Sequence, residues 1–449
     1  MVNYAVRRSI PYSLAQALIG WSALAATLAT ALAFGGDTPL AWIALAVVAH
    51  ALLGAQVALN LARGAPGAAH RAALPLVFFL LALVWGLIQT IAAPATWAHP
   101  LWALVPAGTP TISADPIAGQ HYVLRLTTYA ALFWIVLNAA TNARRATAFL
   151  TVIALFSTLL AAYGLAASLT GINPVLGPLE DGNVKATFLN RNSYATYAIF
   201  GILANLGLYL QVMQTREPTR DRRRALRHVI ERFFASGWIF AFGALLCLAA
   251  LLIGGSRAGS AAGILAIAVL ALCVRSSFGK SRALWIPVAV GIIVVLIGLS
   301  GTVRGRIARA GADPREFVYP EIIAGLGERP ILGHGLGAFG DTFHARVPLE
   351  AAGFEWSRAH NAYLQNLWEL GLPAAALFYA PLAWLGFALL RGAWVRRRER
   401  LYVSVALAAY VAGGLHALVD FSFQIPAVCA LFAVLMGIGC AHARPRLRA

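Results

Sequence analysis

Residues 235–274 read ASGWIFAFGALLCLAALLIGGSRAGSAAGILAIAVLALCV, two apolar runs parted by Gly254-Gly255-Ser256-Arg257. Arg257 is the only charged side chain in the stretch. An α-helix rises about 1.5 Å per residue, so each run, Ala235 to Ile253 and Ala258 to Val274, is long enough to cross the hydrocarbon of a bilayer. Neither run alternates apolar and polar positions as a membrane-barrel strand does. A helix satisfies its own backbone hydrogen bonds in lipid, which an open strand does not. The stretch therefore predicts a helical hairpin in a membrane, with its glycine-rich break at one face.

Ten more runs of this kind flank it. They are Leu14 to Phe34, Leu40 to Ala62, Ala73 to Ala92, Tyr122 to Ala140, Thr147 to Leu169, Asn192 to Met213, Ala283 to Ser300, Asn361 to Leu390, Leu401 to Asp420 and Ile425 to Ala441. The expected fold class is an all-α polytopic membrane protein of about twelve transmembrane helices. The first run is read as a span, not as a cleaved leader. Hydrophobic residues make up 60% of the 449 and charged residues 12%, which excludes a soluble enzyme, a disordered chain and a disulfide scaffold. Residues 1–300 hold nine spans, 301–359 form the one sizeable segment outside the membrane, and 360–449 hold the last three spans and a tail.

The net charge of +18 would point to nucleic acid in a soluble chain, but here the basic residues sit in loops between apolar runs. With the N-terminus inside, 24 of the 35 basic residues fall on the cytoplasmic side, and both termini are cytoplasmic. Membrane lipids are the expected surroundings, and no nucleic acid or nucleotide partner is expected. Of the remaining basic residues, seven lie between Thr302 and Ala359, with seven acids among them, a balance that suggests a small folded unit. Within it, Phe317, Ile322, Ile323 and Leu326 have helical spacing, and Gly333, Gly335, Gly337 and Gly340 mark a turn. Cys247, Cys273, Cys429 and Cys440 all lie in apolar runs without metal-ligand spacing and read as small buried hydrophobes.

Three features converge on the outer face. Asn190-Arg191-Asn192 starts the sixth run after the polar stretch ending at Lys185, Ser256-Arg257 starts the eighth, and His360-Asn361 starts the tenth. Helix N-termini expose unpaired N–H groups and favour anions, and a guanidinium matches phosphate oxygens bidentately. The plainer role for each arginine is that of an interfacial anchor. His360 heads a polar stripe of Asn361, Gln365 and Glu369, and a helix N-terminus favours the neutral imidazole a general base needs. Glu369 and Asp420, the latter four residues after His416, are the rival bases. There is no Asp-x-Asp pair, ATP-binding loop, zinc spacing or Gly-x-Ser-x-Gly elbow, so no metal and no cofactor is expected.

The run Arg358-Ala359-His360-Asn361-Ala362-Tyr363-Leu364-Gln365, continuing to Glu369-Leu370-Gly371-Leu372-Pro373, resembles the signature of the O-antigen ligase/polymerase superfamily. The upstream Arg329 to Gly337, which includes His334, is similar to that family's approach to the signature. So are Asn190-Arg191-Asn192 and Gly255-Ser256-Arg257-Ala258-Gly259. The resemblance implies a metal-independent, inverting glycosyltransferase at the periplasmic face of the bacterial inner membrane, with residues 301–359 periplasmic. It would take glycan from undecaprenyl pyrophosphate and pass it to lipid A-core, with His360 as catalytic base and Arg191 and Arg257 on the donor pyrophosphate. Asn192, Asn361, Lys185 and His334 are implied as supporting residues. The single large loop before His360 looks more like a ligase than a polymerase of the same superfamily. Tyr319 departs from the family pattern, which leads one to expect Trp there. A lipid-linked glycan flippase or a solute transporter is the alternative from another class, but transporters gather polar residues near mid-membrane, not at one face.

Overall fold

The computed structural model describes residues 2–64, 73–105, 108–179, 182–214, 222–274, 313–396 and 399–443. The architecture is that of an all-α polytopic membrane protein. The first half of the chain contains α1 (Val2–Leu32), α2 (Pro39–Ala62), α3 (Ala73–Ile88), α4 (Pro116–Ala139), α5 (Ala143–Thr170), α6 (Arg191–Met213), α7 (Arg222–Arg232), α8 (Trp238–Ile253) and α9 (Arg257–Val274). The second half contains α10 (Arg315–Gly325), α11 (Phe339–Phe343), α12 (Ala362–Leu370), α13 (Leu372–Val395), α14 (Arg400–His416) and α15 (Pro426–Ala443). Among the described residues, nine helices are long and apolar enough to cross a membrane, and α3 is apolar but shorter. α14, the eleventh expected span, has 17 residues. The ninth expected span, Ala283 to Ser300, lies outside the described residues.

The bundle is built around α6, which is apolar nearly all round and buried along most of its length. Small residues let its neighbours approach: a Cβ on Gly201 would come within 2.5 Å of Ser157, and one on Gly207 within 2.5 Å of Val405. Asn205, wholly buried, spends its amide on the Gly201 and Ala154 carbonyls at 2.9 and 3.2 Å, so the core carries no free N–H there.

Three details differ from the sequence reading. The expected tenth span is two helices, because Gly371 breaks it with φ +75° between α12 and α13. A Cβ at Gly371 would stand 2.4 Å from the Ile331 carbonyl, and Pro373 then suits the first turn of α13. Next, α4 begins at Pro116, two turns before the expected Tyr122. Asp115 caps it by accepting from the Ile117 and Ala118 N–H groups, each at 3.0 Å. Finally, a second segment outside the bundle, described at 89–105 and 108–115, lies between α3 and α4 and packs against the segment before His360. Arg329 clamps it, donating to the Trp97 carbonyl at 2.7 Å and to that of Ala98 at 3.2 Å.

The described part of the segment before His360, 313–359, shares a small hydrophobic core with α12. Val318, Ile322, Phe339, Phe343, Trp356 and Trp368 are buried together. The expected helix is there as α10, but it buries Val318 and Ile322, whereas Phe317 and Ile323 face outward. An Arg358–Asp37 ion pair at 3.1 Å ties the segment to the turn after α1. At the opposite end of the bundle, Tyr402 donates to the Ala143 carbonyl at 3.0 Å and His442 lies 2.8 Å from that of Ala140. The starts of α6 and α9 and the end of α14 gather at one end, beside the start of α10 in this segment.

Candidate active site

Each arginine singled out from sequence is the first residue of a helix. Arg191 opens α6, where the Asn190 side chain accepts from the N–H groups of Asn192 and Ser193 at 2.7 and 3.4 Å. Arg257 opens α9 after Gly255, whose φ of +71° makes the reversal, and Ser256 caps by accepting from the Gly259 N–H at 3.2 Å. Gly254 has to be small as well, since a Cβ there would meet the Val184 carbonyl at 2.9 Å. Arg315 opens α10 in the same way, and sequence reasoning counted it only towards the charge balance. The signal was in the sequence, since Asp313-Pro314-Arg315 is a third helix start carrying an arginine.

All three line one cavity of about 650 Å³, together with His360, Asn192, His416 and Asp313. Neither Arg191 nor Arg257 has an ion pair among the described residues, and Arg315 has only a long contact of 3.9 Å to Asp313. Asp313 and Glu355 also line it, so the three guanidiniums leave the lining net positive, not uniformly so. Three helix N-termini add partial positive charge, so its complement is a multiply charged anion.

His360 stands at its edge in the left-handed backbone region, with φ +53°. Such a conformation is uncommon outside glycine, though His is among the residues enriched there. Surrounding bonds impose it. Tyr319 donates its hydroxyl to the His360 carbonyl at 2.8 Å, and the Ala359 N–H donates to the Gln365 side chain at 3.0 Å. Asn361 then caps α12, accepting from the Tyr363 and Leu364 N–H groups at 3.0 and 3.1 Å. The ring is held edge-on between Phe421 and Trp356, with centroids 4.7 and 5.7 Å away. Its Nδ1 is buried with no partner. Burial, then the Arg315 charge, depresses the imidazole to about 4; Asp420 and Asp313 pull it up and Arg358 pushes it down. The ring is neutral at pH 7, and its basic nitrogen is unspent.

Behind the ring, Asp420 is completely buried and accepts from the Asn192 amide at 3.1 Å and from the Ser422 hydroxyl. His416 lies 2.7 Å from the Thr196 hydroxyl through Nδ1, and its Nε2 has no partner. Among the described residues no group of three His, Cys, Asp or Glu side chains is placed to hold a metal ion.

The remaining sequence candidates stand elsewhere. Asn361 is a cap. Lys185 belongs to the loop that packs on Gly254, and its carbonyl accepts from the Phe188 N–H at 2.9 Å. His334 is buried and does not line the cavity. Its Nδ1 is 3.0 Å from His99 Nε2, and its ring stacks on Trp368 at 4.2 Å. Glu369 does not line the cavity. It accepts from the Gly337 N–H at 2.9 Å and from Gln365 at 2.8 Å, so the expected polar stripe fastens α12 to the glycine-rich turn instead of facing the cavity.

Residues 242–379 match the family model described as O-antigen ligase. This segment belongs to the O-antigen ligase superfamily. The superfamily match includes Arg257, Arg315, His334 and His360, whereas Arg191 and Asp420 fall outside it. None of the curated proteins compared matches the chain. With the O-antigen ligase match covering most of its wall, the cavity is the part of the molecule whose chemistry needs explaining.

Proposed function

We propose that the chain is a metal-independent, inverting glycosyltransferase, an O-antigen ligase. It would transfer polysaccharide from undecaprenyl pyrophosphate to lipid A-core at the periplasmic face of the inner membrane. The observation that carries this reading is the meeting of Arg191, Arg257 and Arg315 with an unspent, neutral His360 on one cavity. The superfamily match supports it independently.

In this mechanism the three guanidiniums hold the donor pyrophosphate. An acceptor hydroxyl donates its proton to His360 as its oxygen attacks the anomeric carbon from the face opposite the pyrophosphate. The new C–O bond forms as the bond to phosphate breaks, and the electron pair leaves with the pyrophosphate. Leaving-group charge is met by preorganised donors in a site partly closed to water, where such contacts are worth more than in bulk solvent. Asp420 stands close enough to favour the imidazolium that results. His360 returns its proton to solvent once product departs.

The test is transfer in vitro by the purified chain, without an energy source. A defined polyprenyl-pyrophosphate glycan is the donor, and lipid A-core is compared with a second polyprenyl-linked glycan as acceptor. Product on lipid A-core alone supports the ligase reading. Product on the second polyprenyl glycan alone makes the chain a polymerase, and no product with either sinks the transferase.

A further inference from the structure

A second cavity, of about 780 Å³, lies between α3, α4, α12, α13, α14 and α15. Its walls are aliphatic and aromatic, with Phe79, Phe378, Trp384 and Phe432 among them. It shares a partition with the polar cavity. Ala362, Tyr363, Ala417 and Leu418 line the apolar side, while His360, His416 and Val419 line the polar side. The Ala362 N–H donates to the Ala417 carbonyl at 2.9 Å and holds the two strips of the partition together.

One charged residue, Arg125, lines this apolar cavity. It sits within α4, a helix long and apolar enough to cross the membrane. Its guanidinium carbon stands 4.6 Å from the Trp42 ring and 5.5 Å from that of Tyr122, while Nε is buried without a hydrogen-bond partner. No acid pairs with it among the described residues. Asp37 is engaged by Arg358, and Glu369 by Gln365 and Gly337. An intramembrane cation without a counter-charge is costly and marks a functional site. An apolar cavity with one unpaired guanidinium complements a hydrocarbon chain carrying a phosphate.

We infer that this cavity holds the lipid anchor of the acceptor, one hydrocarbon chain lying among the aromatics and a phosphate against Arg125. The inference rests on the transferase reading above. Inversion requires acceptor and leaving group on opposite faces of the anomeric carbon. Cavities on the two sides of the partition that carries His360 deliver the two substrates from opposite directions.

The test uses the full chain in detergent with no donor present. Native mass spectrometry follows binding of lipid A-core, with its phosphates or dephosphorylated. The native chain should favour the phosphorylated form by about tenfold or more, and Arg125→Gln should erase that preference. Ala130→Phe, which fills the cavity and leaves the charge, should weaken both forms. Retention of polyprenyl-pyrophosphate donor by each variant reports that it is folded. An unchanged preference in Arg125→Gln overturns the assignment. So does displacement of the acceptor by undecaprenyl phosphate or phosphatidylglycerol, which would mark a donor-tail or bilayer-lipid site. Phosphate-dependent binding without any transfer supports the cavity assignment and sinks the transferase. Transfer with an unaltered acceptor KM in both variants sinks the cavity assignment alone.

Discussion

The Asn192 amide donates to the Asp420 carboxylate at 3.1 Å, joining the start of α6 to the turn after α14. Asn192 follows Arg191 directly, and Asp420 pulls the His360 imidazole upward against the arginines. The bond thus links the side of the cavity that carries Arg191 to the side that carries His360. On the proposed mechanism, Asp420→Asn should lower transfer by roughly tenfold to a hundredfold, because the imidazolium formed in the reaction loses the stronger of the two carboxylate influences on it. It should also move the acid limb of the pH–rate profile to lower pH. Full rate with an unshifted profile would show that Asp420 does not support the base.

His360→Ala should abolish transfer, a loss of roughly 10²–10⁴-fold, while donor binding persists on the arginines. Activity measured as kcat/KM should be flat around neutrality and decline only near pH 4, where the free imidazole protonates. Bound pyrophosphate adds negative charge and raises that value, so the limb in kcat should lie at higher pH than the limb in kcat/KM. A decline already complete at about pH 6 in kcat/KM would mean that another group titrates.

Arg191→Lys and Arg257→Lys should be nearly as damaging as the alanine variants, since the bidentate geometry is lost even though charge is kept. Arg315→Ala should cost less, because Asp313 already offsets part of its charge. Donor retention and turnover, compared at equal membrane abundance, check both statements. A fully active Arg257→Lys chain would argue against a bidentate clamp.

Transfer should survive a chelator, because guanidiniums and helix N-termini meet the leaving-group charge. Turnover lost in EDTA and restored by one divalent ion would refute this.

The buried His99–His334 pair should make stability fall with acid. Burial, then Arg329, holds His99 down at about 4. Burial, then His99 and Arg329, holds His334 at about 3. The unfolded chain titrates these groups near 6.5, so below that pH it binds protons the folded chain refuses, and stability declines as pH drops through the window. Thermal unfolding in detergent should show a lower midpoint at pH 5 than at pH 8. A His99→Asn/His334→Phe double variant should show a smaller difference.

What the sequence made legible were features carried by local pattern. Runs of some twenty apolar residues specify spans almost by themselves, because lipid leaves the backbone no other way to pair its polar groups. Arg191, Arg257 and His360, which the structure brings to one cavity, stand out in the sequence because a cap residue beside a charged one at the end of an apolar run is a local signal. Arg315 repeats that signal at Asp313-Pro314-Arg315 but was hidden among the balanced charges of its segment. The break at Gly371 was harder to see. The residue yields to the Ile331 carbonyl, forty positions upstream, a long-range contact that spacing does not record. Segment 89–115 escaped for a similar reason, since its anchors, Arg329 and His334, lie far along the chain.

The left-handed backbone at His360 has a genetic consequence. Few residues tolerate that conformation, and Asn and Asp are the best of them after glycine. Both are a single base change from either histidine codon. On the proposed transferase reading, His360→Asn is the change that would lose the base while keeping the fold, and it would leave a chain with its three arginines in place, able to hold the lipid-linked glycan and unable to hand it on. Such an allele would not be merely silent. Expressed beside the intact gene it would sequester a carrier that the cell has to recycle, so its harm should grow with its own abundance.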